Sequence, residues 1–262
     1  MCVLVYHDPP PSLLERHLEY LSKHYRFLAL GELVDALHAR DWRRIPPKSV
    51  VLTFDDGHRG NADLLPLFRR YGVRPTIFIC SQLVGTNRHF WFSGASDPEA
   101  LKRLPNDERL VRLERETGFS PTREYPTNER QTLSRAEIEQ MKEHVDFASH
   151  TRFHPLLPSC TDEECEVEIR ESKAEVERLT GEPCRHFSHP NGDYSPREIE
   201  MIKAAGYVSA RTMDFRWNGV TTDPFGLKAV PVLDDASVNR LVADIAGVAP
   251  LLARVRRLPP RS

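Results

Sequence analysis

The sequence lacks most of the features that assign a chain to a class at first sight. It has no excess of one charge: 36 Lys and Arg stand against 38 Asp and Glu, a net charge of -2 over 262 residues. That balance excludes the extended cationic field that draws proteins to nucleic acid or anionic membrane. No apolar run approaches the roughly 20 residues that span a bilayer. The five cysteines, Cys2, Cys80, Cys160, Cys165 and Cys184, are odd in number and without paired C-x-x-C spacing, so a disulfide framework or thiolate zinc site is not indicated and buried, reduced thiols are expected. The opening "MCVLVYHDPP" has neither the charged start nor the apolar core of a secretory signal. A cytoplasmic protein is the expectation, although a chain already trimmed of a leader would read the same. There is no internal repeat or low-complexity segment, and the cationic end "ARVRRLPPRS" reads as a solvated tail.

What the sequence does have is alternation. Seven β-rich runs, Val3 to Tyr6, Val50 to Phe54, Thr76 to Cys80, Val145 to Ser149, Arg185 to His189, Tyr207 to Thr212 and Lys228 to Val232, are separated by helical patterns. This is the signature of βα units that build a parallel sheet. Several runs are apolar on both faces, as buried parallel strands are. The helices carry their own start signals. Ser134 with Glu137, Thr161 with Glu164 and Ser195 with Glu198 each form the S/T-x-x-E pattern of a capping box. After Thr161, Cys165, Ile169, Ser172, Val176 and Leu179 recur at helical spacing up to Gly181, giving one inward stripe. The length suits one α/β barrel, so residues 1–262 are expected to form a single domain. Residues 85–131 break the rhythm: they hold no convincing strand and exceed the usual connection length. They read as an insertion with short helices after the third strand, close to the active-site mouth of a barrel.

The stretch "VVLTFDDGHRGN" sets Asp55 and Asp56 directly after a strand run, and "NADLLPLFRRYG" behind it has helical spacing. Strand, loop and helix in that order disfavour a hairpin and leave both carboxylates at the C-terminal end of a parallel strand, where barrel enzymes assemble their chemistry. Two carboxylates so close repel unless a cation or a shared proton relieves them. The candidate partners stand in "DFASHTRFHPLL", where His150 and His154 follow another strand run. An H-x-x-x-H spacing puts two imidazoles on one side of a helical turn, within reach of one metal, although eleven histidines make such a spacing common by chance. Shared position adds to it: the C-terminal ends of parallel strands open on one face. Asp56, His150 and His154 then suit a divalent metal with open coordination positions, and Asp55 is left to act as base. A third loop, "HFSHPNGDYS", brings a tight turn at Pro190 and Gly192 to the same face. It is either an ordinary turn ahead of the Ser195 cap or a source of backbone donors for an oxyanion.

"TFDDG", "SHTRFHP" and "HPNGDYS", in this order, resemble the first three motifs of the polysaccharide deacetylase family, the NodB-like carbohydrate esterases. "YH" at Tyr6 and His7 and "GVRPTIFIC" fit the same family, and the likeness runs from about Met1 to Thr212. The resemblance implies a distorted (β/α)7-type barrel and metal-dependent hydrolysis of N-acetyl groups on amino sugars of a polysaccharide or glycan precursor. It further implies Asp55 as base, Asp56, His150 and His154 as metal ligands, and the backbone N–H of Asn191 as an oxyanion donor. Zinc is the first candidate metal, and two histidines with one carboxylate also suit cobalt, nickel or iron.

Two departures stand out. Many family members carry an arginine where this chain has Ser188, and Arg211 on the neighbouring strand could replace that charge. Many also supply a late histidine that protonates the leaving amine, and "FGLKAVPVLDDASVNRL" has none. His7, just past the first strand, is the proposed substitute acid, with a structural hydrogen bond as its alternative role and His189 as a weaker stand-in. "RHFWF" reads as the small core of the insertion or as rings for stacking on a sugar. The missing histidine leaves a catalytically impaired glycan-binding relative as an alternative. The ligand trio also leaves open a non-haem iron enzyme.

Overall fold

The computed structural model describes residues 1–248; the cationic end lies outside them. Eight parallel strands and nine helices follow one another in these residues. In chain order they are β1 (Cys2–Tyr6), α1 (Pro11–His24), β2 (Arg26–Phe27), α2 (Leu30–His38), β3 (Ser49–Phe54), α3 (Leu65–Tyr71), β4 (Thr76–Ile79), α4 (Pro98–Leu101), α5 (Asn106–Thr117), α6 (Arg135–Met141), β5 (Asp146–Ser149), α7 (Asp162–Thr180), β6 (His186–Ser188), α8 (Pro196–Ala204), β7 (Ser209–Phe215), β8 (Leu227–Pro231) and α9 (Val238–Ile245).

Seven of the strands close a barrel in the order β1-β3-β4-β5-β6-β7-β8, with β1 pairing both β3 and β8. These correspond to the seven runs legible in the sequence. The eighth, β2, is two residues long and pairs Ser49 and Val50 at the start of β3. It sits on the edge of β3 that β4 occupies higher up, at Thr53 and Phe54, so it fills a gap below the barrel wall rather than adding to it. A two-residue element leaves no periodicity to detect. The barrel is uneven: β5 and β6 share one register pair, and β7 bulges against β8 between Arg211 and Phe215. Strands β1 and β3 are buried along their whole length, because one face meets the barrel interior and the other the surrounding helices.

The helices start where the sequence places caps. Ser134, Thr161 and Ser195 each close a capping box with the glutamate three residues on. Helix α7 turns Cys165, Ile169, Ser172 and Val176 inward and ends at Gly181, whose φ of 76° is the left-handed cap that glycine adopts freely. Full burial of each aliphatic side chain in that stripe contributes about 1.5–3 kcal/mol. Ser172 serves a second purpose there. Its hydroxyl accepts a bond from Ser149 Oγ at 2.8 Å and donates to Ile169 O at 3.0 Å, tying α7 to the last residue of β5.

Residues 85–131 hold α4, α5 and no strand. Trp91, Leu101, Leu113 and Phe119 from this segment pack with Leu156 into a core of their own. The chain returns along residues 131–133, where Arg59 N bonds Gln131 O at 2.8 Å and Leu133 N bonds Gly57 O at 2.9 Å. The return segment therefore clamps the loop that carries the aspartate pair. Arg130 holds the clamp from below, with its two Nη atoms on the Glu137 carboxylate at 2.7 and 2.9 Å and Nη1 also on Thr132 O.

Burial alone would raise the Glu137 carboxyl, but the bonds from Arg130 and Ser134 outweigh it and pull its pKa to about 2, from an ordinary 4.5. A depressed carboxylate stabilises the fold above its unfolded-state pKa, and that contribution fades as pH falls through the folded value. Glu137→Gln is therefore expected to lose about 1–2 kcal/mol at pH 7 by urea unfolding. The gap to wild type should close as pH drops from 4.5 toward 2; a gap of constant size would contradict this role.

Candidate active site

The ladder registers bring the C-terminal strand ends together. Tyr6 pairs with Phe54 across β1 and β3, and Asp55 N bonds Tyr6 O at 3.0 Å, so His7 and Asp55 leave the barrel side by side. Ile79 pairs with Ser149, and His150 N bonds Ile79 O at 2.9 Å. Ser188 pairs with Arg211 across β6 and β7. Each of these residues thus sits on one rim, set there by backbone pairing far from the chemistry.

The aspartate pair is presented by a sharp turn. Asp56 and Gly57 adopt φ of 72° and 71° in succession, a left-handed pair that costs a non-glycine residue energy and that glycine tolerates. A side chain at Gly57 would in addition meet Ile79 Cγ2 at 2.7 Å.

His150 and His154 do converge, though not on a helical turn as their spacing predicts. Residues 150–156 form an irregular loop in which Thr151 and His154 have φ of 68° and 61°. Pro155 disfavours helical backbone at His154. The loop is fixed instead by bonds from His154 N to Thr151 Oγ1 at 3.1 Å and from Trp91 Nε1 to His154 O at 2.9 Å. The imidazole rings stand 4.9 Å apart at 74°.

Asp56 Oδ1 lies 3.4 Å from His150 Nε2 and 3.3 Å from His154 Nε2. It is buried and accepts no hydrogen bond within the described residues. Two ligands each about 2.0–2.1 Å from a tetrahedral zinc stand about 3.3 Å from one another, so the observed separations suit one shared cation. The tautomers agree. His150 Nδ1 lies 2.8 Å from Ser188 O, and facing a carbonyl it must carry a proton, which leaves Nε2 as the lone pair when the ring is neutral. A lone pair facing a carboxylate oxygen needs a cation or a proton between them. The donor set of one carboxylate and two imidazoles therefore fits a divalent metal.

The electrostatics carry the same demand. Burial acts to raise Asp56, but His154, His150 and His58 hold it well below the ordinary carboxylate range. Burial acts to lower His150, and Asp55 and Asp56 lift it above its usual value instead. His154 is driven down by burial, with the neighbouring His150 adding to the effect against the pull of Asp56. His58 was not legible as part of this group. Its Nε2 reaches Asp56 Oδ2 at 3.1 Å, and only the turn geometry two residues after Asp56 brings it back.

Asp55 has a different partner. Arg211, fully buried, donates through Nη2 to both oxygens of Asp55 and to Ser188 Oγ, while its guanidinium lies 5.3 Å over the Phe78 ring. The charge missing at Ser188 is thus supplied from the adjacent strand, with the small serine leaving room for it. Burial works to raise Asp55, and Arg211, His150 and His7 together bring it below its ordinary value.

The face encloses a cleft of about 450 Å³. His7, Asp55, Asp56 and Asn191 line it, with Trp91, Phe92 and Lys102 of residues 85–131 on one side and Met213 on the other. Of "RHFWF", Phe90 and Trp91 are buried, while Phe92 borders the cleft with its ring 5.2 Å from that of His154. Lys102 is the C-cap of α4, and a lone lysine there gives no signal in the sequence. Asn191 has φ of 58° inside the turn after β6. The two bonds of that turn run from Gly192 N to His189 O and from Asp193 N to Pro190 O, and neither uses the Asn191 N–H. The His7 backbone is held by Asn61 Nδ2 on its carbonyl at 2.8 Å and by Asp234 Oδ1 on its N–H at 3.4 Å. His189 is buried, does not line the cleft, and is lowered to about 3 by burial and then Arg211.

The C-terminal rim of a seven-stranded parallel barrel thus carries an Asp-His-His group that can hold a metal, beside a second aspartate. The polysaccharide deacetylase profile matches residues 43–210, and the chain belongs to that family, whose enzymes hydrolyse carbon–nitrogen bonds other than peptide bonds. The chain is 22% identical over 233 residues to YxkH of Bacillus subtilis (strain 168), which carries the polysaccharide deacetylase name, covering 85% of this chain. It spans 64% of that relative's length. The deacetylase PplD of Streptococcus pyogenes, solved with acetate, superposes with a TM-score of 0.69 at 17% identity, covering 93% of this chain and 97% of its own. IcaB of Ammonifex degensii gives 0.66 at 20%, covering 92% and 95%. At these identities the superpositions speak to the fold.

Removing one partner of a buried ion pair strands the other, at a cost of about 3–5 kcal/mol. Arg211→Met should lose stability of that order in denaturant unfolding, and Asp55→Asn in the same chain should restore much of it. Additive losses in the double variant would contradict the pairing.

Proposed function

We propose that this chain removes N-acetyl groups from amino sugars of a glycan with the aid of one divalent cation, zinc being the first candidate. The observation that carries the reading is the unpartnered Asp56 Oδ1 between two imidazole nitrogens at 3.4 and 3.3 Å, beside a second buried carboxylate. Asp56, His150 and His154 would hold the cation. When bound, it supplies Lewis acidity, which draws the pKa of water from 15.7 toward about 7.

Asp55 then acts as general base. Its pair with Arg211 holds it ionised and oriented to accept a proton from the attacking water. The Asn191 N–H, outside the bonds of its own turn, serves the developing oxyanion, a role worth about 2.7–4 kcal/mol per donor. His7, with its backbone fixed by Asn61 and Asp234, delivers the proton without which an amine leaves slowly. Phe92, partly exposed at the cleft, offers an apolar face to a sugar ring. Among the described residues no helix is long and apolar enough to cross a membrane, which is compatible with a glycan substrate that is free, polymeric or lipid-linked.

Acetate release from a panel of N-acetylated glycans tests the assignment. Asp55→Asn is expected to lower kcat by about 10²–10⁴, and His7→Ala to lower kcat more than it raises KM. Full activity in Asp55→Asn would end the base assignment, and unchanged turnover in His7→Ala would remove that residue as the acid.

A further inference from the structure

The loop that carries both histidines depends on a carboxylate outside the ligand set. From Thr151 to His154 the chain has four amide N–H groups and neither helix nor strand to take them up. Thr151 N bonds Ser149 Oγ at 3.3 Å, and His154 N bonds Thr151 Oγ1 at 3.1 Å. The two between them, Arg152 N at 2.7 Å and Phe153 N at 3.1 Å, both donate to Oε2 of Glu168 on α7. The Arg152 side chain does not pair with this carboxylate. It turns to Glu175, seven residues further along α7, with Nη2 2.9 Å from Oε1. Burial raises the Glu168 carboxyl to about 7, and the bonds from Phe153 N and Arg152 N act against that rise. Nothing in the catalytic reading uses this residue.

We propose that Glu168 is a positioning residue for the metal centre: by gripping the two amides midway between His150 and His154, it sets the spacing of the imidazoles that share the cation. The inference rests on the metal reading above. Thr151 and His154 hold left-handed φ of 68° and 61°, conformations that cost energy and persist only where the surroundings over-determine them. The carbonyl side of the loop is anchored by Ser81 N on Thr151 O at 3.1 Å, Gln82 N on Arg152 O at 3.0 Å and Trp91 Nε1 on His154 O at 2.9 Å. Glu168 supplies the anchor on the amide side. An apolar side chain in its place leaves two adjacent donors without their acceptor, and the loop relaxes toward ordinary backbone, carrying His154 away from Asp56. A glutamine keeps an accepting oxygen at the same reach, so the role belongs to the acceptor's position rather than to its charge.

The test is the zinc affinity of wild type, Glu168→Leu and Glu168→Gln, measured at one pH by competition with a chromophoric chelator, with urea unfolding to verify that each variant is folded. Glu168→Leu is expected to bind zinc about 10–100-fold more weakly than wild type, the range for groups that orient metal ligands, and Glu168→Gln to stay within about threefold. Wild-type affinity in Glu168→Leu would assign the residue to the fold alone and overturn the proposal. An equal loss in both variants would assign the effect to charge and overturn it too. Should Glu168→Leu fail to fold, Glu168→Asp, which withdraws the carboxylate by one methylene, takes its place: a loss of about tenfold supports the proposal, and wild-type affinity refutes it. Amide exchange in the metal-free protein is a second readout. Arg152 and Phe153 are expected to exchange slowly in wild type and Glu168→Gln, and fast exchange of both in wild type would refute the grip itself. Failure of wild type to bind zinc would sink the metal reading and this inference with it, whereas equal binding by wild type and Glu168→Leu sinks this inference alone.

Discussion

Two adjacent carboxylates, each 4% exposed, dictate the arrangement of the barrel rim. A buried carboxylate without a partner costs several kcal/mol even after relaxation, and two in sequence compound the cost by repulsion. The chain separates the problem into two. Asp55 turns to Arg211, a cation that cannot leave. Asp56 turns to three imidazoles, which are neutral or charged according to what else is present. The permanent pair fixes a carboxylate in place, and the labile one leaves a position that a cation can take. This division follows from the turn at Asp56 and Gly57, where a left-handed backbone sends consecutive side chains toward different neighbours.

The sequence carried the rim well because strand ends in a parallel barrel are legible from pattern alone. Asp55, Asp56, His150 and His154 all follow β-rich runs, and the fold brings such positions together whatever lies between. Arg211 was also within reach, since Ser188 and Arg211 occupy matched positions on neighbouring strands. Other features depend on three-dimensional return of the chain. His58 joins the group through a turn, and residues 131–133 clamp that turn after a long excursion. The strand Arg26–Phe27 is too short for periodicity. The helical turn expected from H-x-x-x-H failed because spacing alone does not specify backbone, and Pro155 together with two positive φ values sets a loop that reaches the same convergence by another path.

Residues 85–131 show how such a barrel acquires individuality. They form a small core around Trp91, and that one side chain borders the cleft, stacks on a buried guanidinium and donates to the carbonyl of His154. Packing in the excursion and geometry at the rim are therefore coupled through an indole. The aspartates and histidines of the rim lie at strand ends, whereas one wall of the cleft comes from this segment.

The central claim is that Asp56, His150 and His154 share one cation. X-ray absorption spectroscopy of the zinc-loaded protein tests it most directly. The account predicts a shell of nitrogen and oxygen scatterers at about 2.0–2.1 Å with an imidazole signature, lost in His154→Ala. Sulfur scatterers at about 2.3 Å, or a shell that survives in His154→Ala, would contradict it.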